Sequence, residues 1–170
     1  MKTIRGIARA LLFGLILSGL VPDSFALDRP TGTPVLTVSG MIATSNVDGS
    51  AVFDLAMLRT LPVTGIRTAT PWDKGVHHFE GVSGADLVRA LGASGTEFHV
   101  VALNNYEAVI PFSDFARYGV IFAYLKDGAP MSVRDKGPIF VVYPFDSDPA
   151  LNREDILARS VWQVKSLEAR

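Results

Sequence analysis

Apolar and polar positions alternate along much of this chain, and short stretches of helical spacing interrupt the alternation. Val35-Leu36-Thr37-Val38-Ser39-Gly40 alternates and stops at glycine, which predicts a strand. Phe53 to Leu61 carries apolar residues at helical spacing and is ended by Pro62, predicting a short helix with one face on the core. The β-branched run over 63–70 predicts a second strand leading into Pro71 and Trp72. His77-His78-Phe79-Glu80-Gly81-Val82 reads as a short strand or extended turn. Ser83 then caps a helix over 84–91 that Gly92 closes.

The second half continues in the same way. Strands are expected over 98–103 and 107–111, joined by Asn104-Asn105-Tyr106, because asparagine tolerates the positive φ of a hairpin turn. Ser113 is placed as the cap of a short helix over 114–118. Further strands are expected over 120–125, 139–143 and 160–167, with a tight turn at Lys126-Asp127-Gly128-Ala129-Pro130. Many short strands with a few inserted helices and no internal repeat make a single α+β domain over 35–170, preceded by an extended lead-in over 27–34.

The first 26 residues read as an export signal instead of part of the fold. Lys2, Arg5 and Arg9 precede an apolar run from Ala10 to Val21, and Ser24-Phe25-Ala26 offers small residues where a signal peptidase looks. The run is shorter than the ~20 residues that span a bilayer. The expectation is cleavage before Leu27 and a periplasmic destination in a Gram-negative cell.

Composition narrows the function. The formal net charge is −1, and removing residues 1–26 takes away three basic side chains and only Asp23, so the remainder is more acidic still. No basic stripe is left for nucleic acid. The chain has no cysteine, so neither disulfides nor thiolate ligands enter the account. Neighbouring residues on an extended segment face opposite sides, so His77 and His78 cannot share one metal ion, and His99 sits in an apolar strand. No zinc site, nucleophile motif or glycine-rich phosphate loop is expected.

Several segments in order resemble the molybdopterin-binding domain of the sulfite oxidase and nitrate reductase superfamily. They are the opening strand ending Val38-Ser39-Gly40, the segment from Phe53 to Pro62, and Phe79-x-Gly81-Val82-x-Gly84-x-Asp86-Leu87-Val88. Tyr106-x-x-x-Ile110-Pro111, Ile121-x-Ala123-Tyr124-x-x-x-Gly128-x-Pro130, Gly137-Pro138-Ile139 and Ser160-Val161-Trp162-Gln163-Val164 follow. The resemblance covers about Val35 to the C-terminus and implies a sulfite-oxidase-like fold of mixed short-stranded sheets. Those enzymes deliver a cysteine thiolate to molybdenum from the strand matching 63–70; here Thr70, Pro71 and Trp72 stand at that point. Hydroxyl and indole do not replace a soft sulfur ligand. The chain is more similar to the small exported, cysteine-less proteins of this fold that bind reduced pterins. Those proteins regulate membrane enzymes that make and degrade cyclic di-GMP.

That resemblance implies a reduced pterin as ligand in place of molybdopterin. It also implies a partner such as the periplasmic domain of a membrane diguanylate cyclase/phosphodiesterase or a sensor kinase. A flat bicyclic ring wants an aromatic face, which Trp72 offers. The amine and ring N–H of a pterin edge suit a carboxylate, and Asp73 or Asp146 is placed to supply one. Thr70, His77, Asn105 and Tyr106 are further candidates for the pocket, with Tyr143 and Phe145 as a second wall. Arg153 or Lys136 would hold an anionic tail. Trp162, alternating with Val164, is expected in the core. Two alternatives stand beside this reading: a molybdopterin-dependent oxidoreductase with another metal ligand, and an interaction module without a ligand.

Overall fold

The computed structural model describes residues 27–170, and the expected export signal lies outside the described residues. Strand pairing dominates the architecture. β1 (Pro34–Gly40) pairs antiparallel with β2 (Ala51–Asp54) and parallel with β10 (Val164–Ala169). β10 in turn pairs antiparallel with β5 (Glu97–Ala102), and β5 with β6 (Glu107–Pro111). A second sheet runs β3 (Val63–Ala69), β4 (Val76–Ser83), β7 (Ile121–Lys126), β8 (Ala129–Pro130), with β9 (Phe140–Val142) also on β7, all antiparallel. Among the described residues, four short α-helices complete the fold: α1 (Leu55–Leu58), α2 (Gly84–Leu91), α3 (Phe112–Tyr118) and α4 (Glu154–Arg159). The architecture is therefore mixed α+β with two mostly antiparallel sheets. Among the described residues, no helix is long and apolar enough to cross a membrane.

Alternation along the strands sorts the apolar side chains into two clusters. Val38, Phe98, Val100 and Leu167 of the first sheet meet Val82, Phe122, Tyr124 and Val141 of the second in the main core, which Leu87 and Phe115 join from α2 and α3. The other face of the second sheet carries Ile66, Phe79, Ile121, Ala123, Phe140 and Val142, a smaller core that includes Met131. β7 is apolar at consecutive positions because it is buried on both faces. Trp72 packs against both clusters. Two glycines permit close approaches: a Cβ at Gly81 would collide with the Phe122 carbonyl at the β4–β7 irregularity, and one at Gly84 with the Phe115 ring.

The structure departs from the sequence expectation at several points, each with a physical cause. The segment expected as one helix over 53–61 begins as β2, because Phe53 and Val52 pair with Leu36 and Thr37; only Leu55–Leu58 is helical. The segment read as a short strand or extended turn over 77–82 is a strand, one residue longer at each end and paired with both β3 and β7. Ser113 lies inside the first turn of α3, whose N-cap is Pro111 with no side-chain cap bond. The closing strand starts at Val164, not Ser160, since Gln163 takes φ 54° and its N–H bonds the Lys136 carbonyl. α4 has no cap bond from Arg153, and sequence spacing did not reveal it.

Asp54 ties the lead-in to this frame. Its Oδ1 accepts from Met57 N at 2.8 Å and caps α1, while Oδ2 accepts from Thr31 N at 3.0 Å and Gly32 N at 2.7 Å. The Met57 bond first, then that of Gly32, holds its carboxyl below the ordinary range. A depressed folded value stabilises the protein fully above the unfolded range near about 4, and the contribution disappears as pH falls through the folded value. Asp54→Asn is therefore expected to lower the urea midpoint at pH 7, with the difference from wild type closing as pH is taken below about 4. A pH-independent difference would show that the charge on Asp54 does not matter.

Candidate functional site

The β3–β4 hairpin carries the centre of the candidate site. Ala69 and Val76 are its last paired residues, so residues 70–75 form its loop. Pro71 leads the chain out of β3, and Gly75 turns it back at φ 84°. Trp72, on the loop, meets Phe140 edge-on at 6.1 Å, Phe145 at 5.9 Å and Trp162 at 5.5 Å. The interplanar angles of 70–79° are the edge-to-face arrangement that aromatic quadrupoles favour.

Trp72 and Trp162 are also walls of an open cleft of about 230 Å³. Asn104 and Tyr106 of the β5–β6 turn, Ala158 at the end of α4, and Gln163 complete its rim. Trp162 is 38% exposed, and its ring supports the Lys136 ammonium at 5.4 Å. The rim is partly fixed: Asn104 Oδ1 accepts from Tyr106 N, Tyr106 donates its hydroxyl to the Ala158 carbonyl at 2.9 Å, and Gln163 Nε2 donates to the Val133 carbonyl. Among the described residues, nothing bonds the remaining halves of those amides, Asn104 Nδ2 and Gln163 Oε1. The cleft thus offers an aromatic wall with two side-chain amide residues along its lining.

The expected site residues fall into three groups. Trp72 and Tyr106 line the cleft, and Phe145 stands behind Trp72. Thr70 is close in sequence but buried at 5% exposure, and its Oγ1 has no hydrogen-bond partner among the described residues. The others are committed elsewhere. Tyr143 is fully buried and donates to Asp114 Oδ2 at 2.7 Å, an oxygen that Arg159 also holds, so it belongs to the core and not to a second wall. Burial, then the Asp114 contact, pushes the Tyr143 phenol far up. Asp146 Oδ2 accepts from the Ala69 N–H at 2.7 Å, and its own N–H donates to Thr68 Oγ1. Asn105 accepts from Lys165, and Arg153 pairs with Asp155 at the surface.

Asp73 is not a free carboxylate either. It binds Lys126 Nζ at 2.9 Å and Lys136 Nζ at 2.6 Å. Burial alone would raise its pKa, and the bonds and charges of the two lysines outweigh that and lower it. His77 faces Asp127 and the Lys74 carbonyl, away from the cleft rim. Among the described residues, no three His, Asp or Glu side chains gather as a metal-ligand group.

Sequence reasoning placed Trp162 in the core because it alternates with Val164. That argument holds only inside a strand, and residues 160–163 are not in one. Asn104 falls in the expected hairpin turn, and Gln163 falls in the closing segment of the resemblance, where no site role is implied for it. A second, larger groove of about 890 Å³ lies between α1 and α2, bounded by Met57, Leu61, Arg89 and Leu91. It contains none of the candidate residues. Its size alone is a weaker argument than the aromatic pair and side-chain amides of the smaller cleft.

The two tryptophans should differ in what they contribute to folding. Trp72→Ala leaves a void beside Phe140 and Phe145 and is expected to cost about 2–4 kcal/mol in urea unfolding. Trp162→Ala, at the exposed rim, is expected to cost less than about 1 kcal/mol. Equal losses would contradict the assignment of Trp72 to both cores. In comparison with known proteins, the chain matches no family model and no curated protein sequence.

Proposed function

We propose that this chain is an exported, non-catalytic pterin-binding protein with a sulfite-oxidase-like fold. In this reading a reduced pterin lies against Trp72 and Trp162, and a membrane partner reads its presence. The resemblance makes that partner a protein that controls cyclic di-GMP. The observation that carries the reading is the open cleft lined by two tryptophans at the end of the β3 hairpin, with the side-chain amides of Asn104 and Gln163 among its lining residues. A pterin edge presents N–H donors next to a carbonyl acceptor, which one amide oxygen and one amide N–H complement.

The donor set argues against molybdenum held in the enzyme manner. The chain has no cysteine, and Thr70, where the resemblance would put the thiolate, offers only a hydroxyl. A hard hydroxyl is a poor match for a metal that the enzymes bind through sulfur. The buried, unpaired state of that hydroxyl is unusual. No step of chemistry is assigned to it.

Titration of the purified protein with tetrahydro- and dihydropterins, followed by tryptophan fluorescence, tests the reading. Saturable quenching at micromolar ligand is expected, weakened at least about tenfold by Trp162→Ala, which is the loss of roughly 1.4 kcal/mol. A flat titration at micromolar pterin would sink the pterin reading. Stoichiometric molybdenum in protein made in a molybdopterin-producing host would favour the oxidoreductase instead.

A further inference from the structure

The loop that carries Trp72 is pinned at three consecutive residues. Aromatic rings hold Trp72, two lysines hold Asp73, and His77 holds Lys74 through its backbone carbonyl. The third contact differs from the others in its proton requirement. His77 Nδ1 lies 2.7 Å from Asp127 Oδ2, and Nε2 lies 3.1 Å from the Lys74 carbonyl oxygen. Both partners only accept. A backbone carbonyl has no proton to give, and Asp127 is held as a carboxylate by the His78 N–H first and then by His77.

A neutral imidazole has one N–H and can satisfy only one of these oxygens. An imidazolium has two and satisfies both. Between the two acceptors, the ionised carboxylate at the shorter distance keeps the remaining proton when the ring is neutral. Nε2 then presents a lone pair to the Lys74 oxygen, and that peptide must turn or take in water. The next residue permits the turn: Gly75 sits at φ 84°, and a Cβ there would meet nothing within 4 Å.

We propose that His77 is a protonation-dependent latch on the Trp72 loop, holding the Lys74 carbonyl as imidazolium and releasing it as neutral imidazole. Histidine is the side chain that ordinarily changes charge between about pH 5 and 8. The charged groups around it are few. Asp127 approaches from the β7–β8 turn, and Lys126 beside it is occupied by Asp73, which Lys136 also binds. The Phe79 ring stands edge-on at 6.2 Å, while His78 and Glu80 pair with each other on the opposite face of β4. The inference concerns the loop and holds whatever the cleft binds.

Asp127→Asn separates this mechanism from a general pH effect. Asparagine Oδ1 can still accept from His78 N, and its Nδ2 can donate to a neutral Nδ1. The single ring proton then resides on Nε2 and keeps the Lys74 bond. The experiment is an NMR titration from about pH 5 to 8, following the His77 ring, the Gly75 amide and the Trp72 indole, without any ligand. In wild type the Gly75 and Trp72 resonances should shift along the same curve as the His77 ring. In Asp127→Asn the ring should still titrate, while the Gly75 shift is lost. A His77 ring that does not titrate in this range overturns the proposal. So does a Gly75 amide that stays still in wild type, or one that moves equally in the variant.

Discussion

The edge-to-face packing of Trp72 against Phe140, Phe145 and Trp162 is the contact on which the rest of the arrangement depends. Phe140 belongs to the small core on the outer face of the second sheet, and Phe145 to the main core between the sheets. Trp72 touches both, so one side chain from a hairpin loop joins two apolar clusters that β7 otherwise separates. Its other partner, Trp162, precedes the left-handed bend at Gln163, whose N–H bonds the Lys136 carbonyl. These two indoles meet at 5.5 Å and nearly at right angles, and both line the cleft.

Electrostatics hold the same loop from the other side. Asp73 between Lys126 and Lys136 connects the loop to β7 and to the segment before β9, with all three side chains mostly out of solvent. Removing one lysine would leave a partly buried carboxylate undercompensated, which is why such a triad fixes geometry more than it adds stability. Lys136 also lies over Trp162, so the ion cluster and the aromatic cluster share a member. Packing sets where the Trp72 ring lies, the lysines set where its backbone continues, and the proton on His77 sets the peptide after that.

The strands were legible in the sequence wherever alternation was local. β1, β3 and α2 follow expectation nearly to the residue, and Ser83 and Gly92 cap α2 as their types require. β2 was hidden because pairing with β1 overrides the helical spacing around Phe53. The candidate cleft was legible only in part. Trp72 and Tyr106 could be found because an aromatic beside a turn is conspicuous. Asp146, Tyr143 and Arg153 do not line the candidate cleft, since sequence reveals that a group is polar but not which partner 77, 29 or 2 positions away will claim it. Trp162 and Gln163 were missed because a single left-handed residue ends the alternation that was used to read them.

The central claim is that the cleft between the two indoles receives a flat heterocycle. Intermolecular NOEs between a bound tetrahydropterin and the protein test it most directly. Contacts from the ligand to the Trp72 and Trp162 indoles and to the Asn104 side-chain amide are the predicted result. Contacts instead to Met57, Leu61 and Arg89, in the groove between α1 and α2, would contradict it.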